Sequence, residues 1–328
     1  EYNLQEIGKP DLNTVLDVPL KERTYYQGVP VWFFPRLTRL KTFLPSSSLF
    51  QWLVDHINTY DLIHNHYLFC FAPAVSGTLA YRQGIPYICR TIGNLSPWAL
   101  SQSALRKRIY STFIERSLLD RAHAIHCTSY EEAQDVANFG VRTPKFVLPL
   151  GTSCPTLIEN ARTKLRHKYQ LPSNSRIVLF LSRLHEKKRP DFLLDVFAKL
   201  DHQENLNHLL IAGSGERSYF QYLKYKVREL GLTQRVTFTG FVSGFNKDLI
   251  LQGSDLFALP SYSENFGIVV IEAFASVLPV VITPDVQLAA AISASKAGLV
   301  VPGQLENWLT ALNTLLGSSA MRTDFAGN

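Results

Sequence analysis

Pro260-Ser261-Tyr262-Ser263-Glu264-Asn265-Phe266-Gly267-Ile268-Val269-Val270-Ile271-Glu272-Ala273 is the stretch on which the reading of this chain turns. The apolar run 256–259 before it reads as a buried strand, and the apolar run after Gly267 has the length of a helix. Gly267 lets backbone come close to a ligand. The free N–H groups of the helix's first turn, with the helix dipole behind them, then make an anion site suited to a diphosphate. Five residues further on, Glu272 sits among apolar side chains, where an unpaired carboxylate is costly; the hydroxyls of a bound ribose would satisfy it. A glycine turn ahead of an ordinary core helix reads the same residues equally well, so the surroundings decide. The span from Phe266 to Pro284 is nearly all apolar, but Glu272, Pro279 and the β-branched run Val280-Val281-Ile282 fit a buried helix and strand rather than a membrane span.

Working outward, Ser182-Arg183-Leu184-His185-Glu186-Lys187-Lys188-Arg189-Pro190 is again a strand end leading into a helix. Arg183 offers a planar fork for phosphate oxygens and Lys188 a compact point charge. Lys187 and Arg189 read as solvated charges. Gly213-Ser214-Gly215-Glu216-Arg217-Ser218 also follows a strand, but Ser218 stands where a dinucleotide fingerprint needs its third glycine. These glycines either bring a loop close to a ligand or make a tight turn.

Short β-branched runs alternate with helical patterns along the whole chain, the mark of βαβ units and a mostly parallel sheet. Strands are predicted near 29–34, 61–65, 86–90, 123–127 and 146–149, then near 177–182, 208–212, 236–239, 256–259, 280–282 and 299–301. Helices are predicted from Ser129, where Ser129 and Glu132 have capping-box spacing, and from Pro190, Ser218, Lys247, Gly267 and Leu305. Turn residues at Pro149-Leu150-Gly151 place a hinge there. The expected fold class is therefore α/β, with two Rossmann-like doubly wound domains, 1–150 and 151–328, facing each other across a cleft.

The 328 residues are about twice the usual domain length, which agrees with two domains. A net charge of +6 suits anionic partners, but there is no zinc finger, RNA-recognition signature or aromatic-interleaved basic run, so nucleic acid is not expected. Cys70, Cys89, Cys127 and Cys154 are isolated and indicate neither disulfides nor a zinc site. No basic and apolar leader follows Glu1, so a cytoplasmic placement is expected. Ser96-Pro97-Trp98-Ala99-Leu100, followed by Arg106-Lys107-Arg108, fits a peripheral contact with an anionic bilayer at the inner face of the plasma membrane, or a solvated helix face.

The order Arg183 and Lys188, Gly213, Gly240-Phe241-Val242, then Glu264 and Glu272 with seven residues between them, resembles the family 4 retaining glycosyltransferases of GT-B fold, of the bacterial group 1 type. The first half, with Tyr60-Asp61-Leu62-Ile63-His64 and Arg90-Thr91-Ile92-Gly93, is similar to their acceptor domain, and the second half to their nucleotide-sugar donor domain. The resemblance implies a hexosyl-type transferase that moves sugar from a nucleotide sugar to a glycan or lipid-linked acceptor with retention, as in polysaccharide biosynthesis. It assigns Arg183, Lys188 and Glu264 to the catalytic site. Gly213, Val242, Asn265, Phe266, Gly267, Ile268 and Glu272 would bind the donor, with Val242 by the base, Glu264 by the sugar and Glu272 by the ribose. No metal or other cofactor is expected, since no Asp-x-Asp pair appears and two cations with a helix N-terminus offset the leaving-group charge. Three departures stand out: no initial strand with a glycine-rich loop, no C-terminal crossover helix, and Ile92 where many members have histidine. They keep open a catalytically silent sugar-nucleotide-binding protein; an epimerase on the same fold is a third reading.

Overall fold

The computed structural model describes residues 18–26, 28–35, 43–101, 114–200 and 207–327. The chain divides between Leu148 and Pro149 into two compact units.

Unit 1 begins with a hairpin of β1 (Arg23–Tyr26) and β2 (Val29–Trp32), paired antiparallel in a sheet of their own. The strand expected at 29–34 is thus not part of a βαβ unit. Only two residues join β1 to β2, too few for a parallel crossover, so the chain must return antiparallel. Next come α1 (Ser47–His56), β3 (Ile63–His66), α2 (Phe71–Arg82), β4 (Tyr87–Arg90), α3 (Pro97–Ser101), α4 (Arg116–Arg121), β5 (Ala124–Cys127), α5 (Tyr130–Asn138) and β6 (Lys145–Val147). Strands β3, β4, β5 and β6 form a parallel sheet in that order. Tyr87, Cys89, Ile125 and Cys127 pack with Leu118 and Leu119 of α4 in one core. A Cβ added to Gly77 of α2 would lie 2.1 Å from Leu118 Cδ1, so α2 meets α4 closely only because position 77 is glycine.

Unit 2 contains α6 (Ala161–Tyr169), β7 (Arg176–Leu181), α7 (Pro190–Lys199), β8 (Asn207–Ala212), α8 (Arg217–Glu229), β9 (Val236–Gly240), α9 (Gly244–Gly253), β10 (Leu256–Leu259), α10 (Ile268–Ala275), β11 (Val280–Ile282), α11 (Ala289–Ser295), β12 (Gly298–Val300), α12 (Leu305–Gly317) and α13 (Ser319–Gly327). Its six parallel strands run in the order β12-β11-β10-β7-β8-β9. Strands β8 and β10 are buried throughout, which explains the unbroken apolar sequence of β10 and of β8 from Leu209 onward. Buried Asp255 ties α6 to this sheet: its Oδ2 accepts from Ile177 N at 2.8 Å, and its carboxylate meets Arg162 and Arg166 at 3.0 and 3.4 Å. Helix α9 starts at Gly244 rather than Lys247; Ser243, extended at φ −150°, is the residue before its first turn. No helix among the described residues is long and apolar enough to cross a membrane.

A buried acid sits in unit 1. Glu115 has no exposed surface; its Oε1 accepts from Phe69 N at 2.5 Å, while Oε2 has no hydrogen-bond partner among the described residues. Burial pushes its carboxyl up to about 7 from an ordinary 4.5. Between those pH values the folded chain keeps a proton that the unfolded chain has lost, so this group's contribution to stability falls as pH rises through the window. Glu115→Gln keeps an acceptor for Phe69 and carries no charge. Denaturant midpoints of the two proteins, compared from pH 5 to 8, are expected to move progressively in favour of the variant as pH rises; a pH-independent difference would contradict the assignment.

Candidate active site

The candidate residues of unit 2 are placed by four turns at the carboxyl ends of its strands. Between β7 and β10 the strand order reverses, because the chain winds from β7 to β9 on one side and from β10 to β12 on the other. Such a switch point is where open α/β sheets bind ligands. The turn after β7 carries Arg183 and a short 3-10 turn, Glu186–Lys188; the turn after β10 carries residues 260–267.

Backbone hydrogen bonds stitch these turns together. Tyr262 N donates to Lys187 O at 2.9 Å, and Thr283 Oγ1 donates to Ser261 O at 2.5 Å. Glu264 N donates to Asp285 O at 3.0 Å, and Gln287 N to Glu264 O at 3.2 Å. On the other side, Leu184 N donates to Ser214 O at 2.8 Å, and Gly213 N to Gly240 O at 2.8 Å. The two glycines at 213 and 215 are there for close approach. Added Cβ atoms would stand 1.9 Å from Ser182 O and 2.0 Å from Leu184 O, and Gly213 has φ +138°. Of the two sequence readings of this loop, the structure shows a backbone passing tightly over the turn that bears Arg183.

The charged residues fall into two pairs. Lys188 and Glu264 are each 12% exposed and form an ion pair through Nζ and Oε1. The two roles expected from the sequence, cation for Lys188 and sugar contact for Glu264, therefore fall on two side chains that hold each other. Lys247 of α9 donates to Glu272 Oε1 at 2.7 Å. This corrects the expectation that Glu272 lacks a partner; α9 packs close enough to α10 for a lysine to reach it. Lys247 escaped the sequence reading because a single lysine at a helix start carries no signal until α10 is placed beside it. Arg183 is exposed. It also helps, with burial, to lower the pKa of His185, whose Nδ1 accepts from Lys187 N at 3.0 Å.

Arg189 is a second correction. It is not a solvated charge: its guanidinium lies 3.9 Å from the Phe192 ring centroid and 4.4 Å from that of Tyr262, and donates to Gly303 O at 3.2 Å. It thus joins the turns after β7 and β10 to the segment that follows β12. Gly267, at φ +75°, caps α10, whose first residues are Ile268 and Val269. Phe266 is buried, Asn265 partly so, and Ile268 is 37% exposed. Val242 is half-buried against the unit 2 core.

In unit 1, buried Glu132 organises the turn that contains Ile92. Its Oε1 accepts from Thr91 Oγ1 at 2.7 Å and Gly93 N at 2.8 Å, and its Oε2 from Thr128 N and Oγ1, both at 2.7 Å. Ser129 Oγ accepts from Glu132 N at 3.0 Å, as the capping-box spacing predicts, but the carboxylate also serves the neighbouring turn. These bonds to the ionised form bring its pKa below the ordinary carboxylate value against the opposing effect of burial, the largest single influence. Thr91, next to Ile92, is fully buried with its hydroxyl turned to Glu132. Ile92 has φ +50°, a left-handed conformation that is costly for a β-branched residue. Pro97 to Leu100 belong to α3, whereas Arg106, Lys107 and Arg108 lie outside the described residues.

Two family models match the chain: "Glycosyl transferases group 1" over residues 161–328 and "Glycosyl transferase 4-like domain" over residues 16–151. Among curated proteins, the D-inositol 3-phosphate glycosyltransferase of Corynebacterium glutamicum is 27% identical over 276 residues, covering 80% of this chain and 66% of that one. The protein of the same name from Mycolicibacterium smegmatis is 29% identical over 266 residues, covering 78% and 60%. The chain thus spans about three fifths to two thirds of the length of these relatives. Among solved structures, Anabaena HepE in complex with UDP-glucose superposes with a TM-score of 0.74 at 22% identity, over 92% of this chain and 80% of that one. WaaG, a glycosyltransferase involved in lipopolysaccharide biosynthesis, gives 0.74 at 18% identity over 93% and 82%. These likenesses show the fold.

The tight pass of Gly213 over Ser182 is open to a direct test. Gly213→Ala is expected to lower unfolding free energy by roughly 1 to 3 kcal/mol, since the added methyl meets a backbone carbonyl that cannot move freely. Urea unfolding monitored by circular dichroism measures this; an unchanged midpoint would show that the loop yields.

Proposed function

The chain belongs to the group 1 glycosyl transferases, and from that footing we propose that it transfers a hexosyl group from a nucleotide-sugar donor to a glycan or lipid-linked acceptor, with retention and without a metal. The observation that carries the proposal is the stitched group of turns after β7, β8 and β10, which gathers Arg183, Lys188 and the N-terminus of α10 at the switch point of one sheet.

In this reading the donor diphosphate lies against Arg183, Lys188 and the first-turn N–H groups of α10, reached through Gly267. Lys188 keeps its bond to Glu264 and has further N–H groups for a phosphate oxygen. Glu264 then lies between the cation and the donor sugar. Glu272 presents its second carboxylate oxygen to the ribose while Lys247 holds the first, so the carboxylate is oriented before the donor arrives. Val242 borders the base, and Asn265, Phe266 and Ile268 line the turn. As the sugar leaves, negative charge grows on the diphosphate, and the same fixed cations and helix dipole stabilise it more strongly than in the ground state.

Arg183 is the clean test, because it is exposed and its loss leaves no buried charge. UDP is the first probe, since HepE was solved with UDP-glucose. Arg183→Ala is expected to weaken UDP binding by roughly 10- to 100-fold, a charge-assisted contact being worth about 1.5 to 3 kcal/mol, while uridine binding stays the same. Lys188→Gln, which preserves a hydrogen bond to Glu264, should behave likewise. Equal UDP affinity in all three proteins, by calorimetry, would remove the diphosphate from these residues.

Transfer should also persist after exhaustive chelation, because protein cations occupy the role a metal would take. Assays with excess EDTA, with and without added Mg²⁺ or Mn²⁺, test this; turnover restored only by the ion would refute it.

A further inference from the structure

One residue of unit 2 reaches three of the turns at the carboxyl edge of its sheet without being assigned to the donor. Arg189 closes the turn after β7 and precedes Pro190, the first residue of α7. Its backbone stands at φ +54° and ψ +43°, left-handed although the residue is not glycine. A following proline also pushes a residue toward extended backbone, so this conformation is disfavoured twice. Its neighbours must hold it there. Arg189 N donates to Glu186 O at 3.1 Å and Leu193 N donates to Arg189 O at 3.2 Å, which fastens the backbone to the turn on one side and to α7 on the other.

The side chain is fastened as well. Its guanidinium lies against the rings of Phe192 and Tyr262 and donates to Gly303 O, 114 residues away in the chain. A Cβ added at position 303 would stand 2.5 Å from Arg189 Nη1, so a glycine there leaves the guanidinium its place. The same Cβ would lie 3.9 Å from Cγ2 of Thr283, whose hydroxyl holds Ser261 O from the next strand. Among the described residues no carboxylate pairs with Arg189. The charge is therefore not there to offset an acid, and what the side chain supplies is a fixed separation between turns. Lys188 is its neighbour in the chain, and Tyr262 stands two residues before Glu264 and five before Gly267. Strain retained at a turn of this kind accompanies sites whose geometry serves a ligand.

We propose that Arg189 is a positioning residue for the donor diphosphate: through Phe192, Tyr262 and Gly303 it sets how far Lys188 stands from the N-terminus of α10. It touches no part of the donor itself. The proposal rests on the donor reading of unit 2 for its ligand and on these contacts for its geometry.

Variants of the 328-residue chain, each shown by its melting curve to be folded, test this with two readouts: amide hydrogen exchange across residues 261–267, and UDP affinity by calorimetry. Arg189→Gly removes the side chain and favours the left-handed backbone, so it separates positioning from strain. Arg189→Lys keeps the charge and loses the planar fork that meets two rings and a carbonyl. Tyr262→Ala removes one ring and Tyr262→Phe keeps it. In Arg189→Gly, Arg189→Lys and Tyr262→Ala, the amides of Tyr262 and Glu264 are expected to exchange roughly tenfold faster or more, with UDP bound roughly tenfold more weakly, while Tyr262→Phe matches wild type. The double variant of Arg189→Gly with Tyr262→Ala should bind UDP no more weakly than Arg189→Gly alone, because both changes remove one contact. Unchanged exchange in Arg189→Gly overturns the proposal, as does faster exchange with wild-type UDP affinity. Losses that add in the double variant overturn it too, and wild-type affinity in Arg189→Lys would reduce the role to charge alone and overturn the positioning. A wild type that fails to bind UDP, with exchange still dependent on Arg189, would instead count against the donor reading of unit 2 and leave the brace between the turns standing.

Discussion

Strands β7 and β10 lie side by side in the unit 2 sheet although β8 and β9 intervene in the chain, and their outer neighbours run off in opposite directions. The turns that follow them therefore meet at the carboxyl edge, joined by the bond from Tyr262 N to Lys187 O, at the kind of switch point where open α/β sheets bind ligands. Everything assigned to the donor depends on it. Arg183 and Lys188 are brought there by β7, and Glu264 and Gly267 by β10. The sheet beneath is buried and apolar, so these turns start from rigid positions. Arg189, held between the rings of Phe192 and Tyr262, joins the turns after β7 and β10.

The charges at these turns and on α9 and α10 are paired. Lys188 with Glu264, and Lys247 with Glu272, are half-buried or deeper, where an isolated charge would be costly. In each pair the lysine meets one carboxylate oxygen, Oε1. Such pairs add little to stability, since desolvation offsets much of the attraction; what they supply is fixed side-chain geometry.

Unit 1 shows the same economy with different chemistry. Glu132 makes four hydrogen bonds to two turns and thereby fixes the strained backbone at Ile92, while the sheet face beside it collects His64, His66, Arg90 and His126, and the charges that lower the pKa of His64 and His66 are all cationic. Strain and unbalanced charge at one edge of a sheet both cost stability, and both concentrate where ligands bind.

The alternation of β-branched runs with helical patterns was enough to read the α/β class, the strands of both parallel sheets and the turn at residues 260–267, because period and apolarity are local properties. The meaning of Gly213 and Gly215 was not local: only the placement of Ser182 and Leu184 beside them shows why a Cβ is excluded. The hairpin at β1 and β2 was misread as one parallel strand, since a sequence window does not reveal which partner a strand will take. Pairing was likewise invisible. Glu272 looked unpaired until α9 brought Lys247 to it, Arg189 looked solvated until two rings enclosed it, and His64, His66, Arg90 and His126 were scattered over more than sixty positions until parallel register aligned them. The sequence by itself determined which segments become strands and helices and which residue types stand at their ends; the tertiary structure decided which of those ends meet, because charge balance and close packing are set by neighbours that only folding supplies.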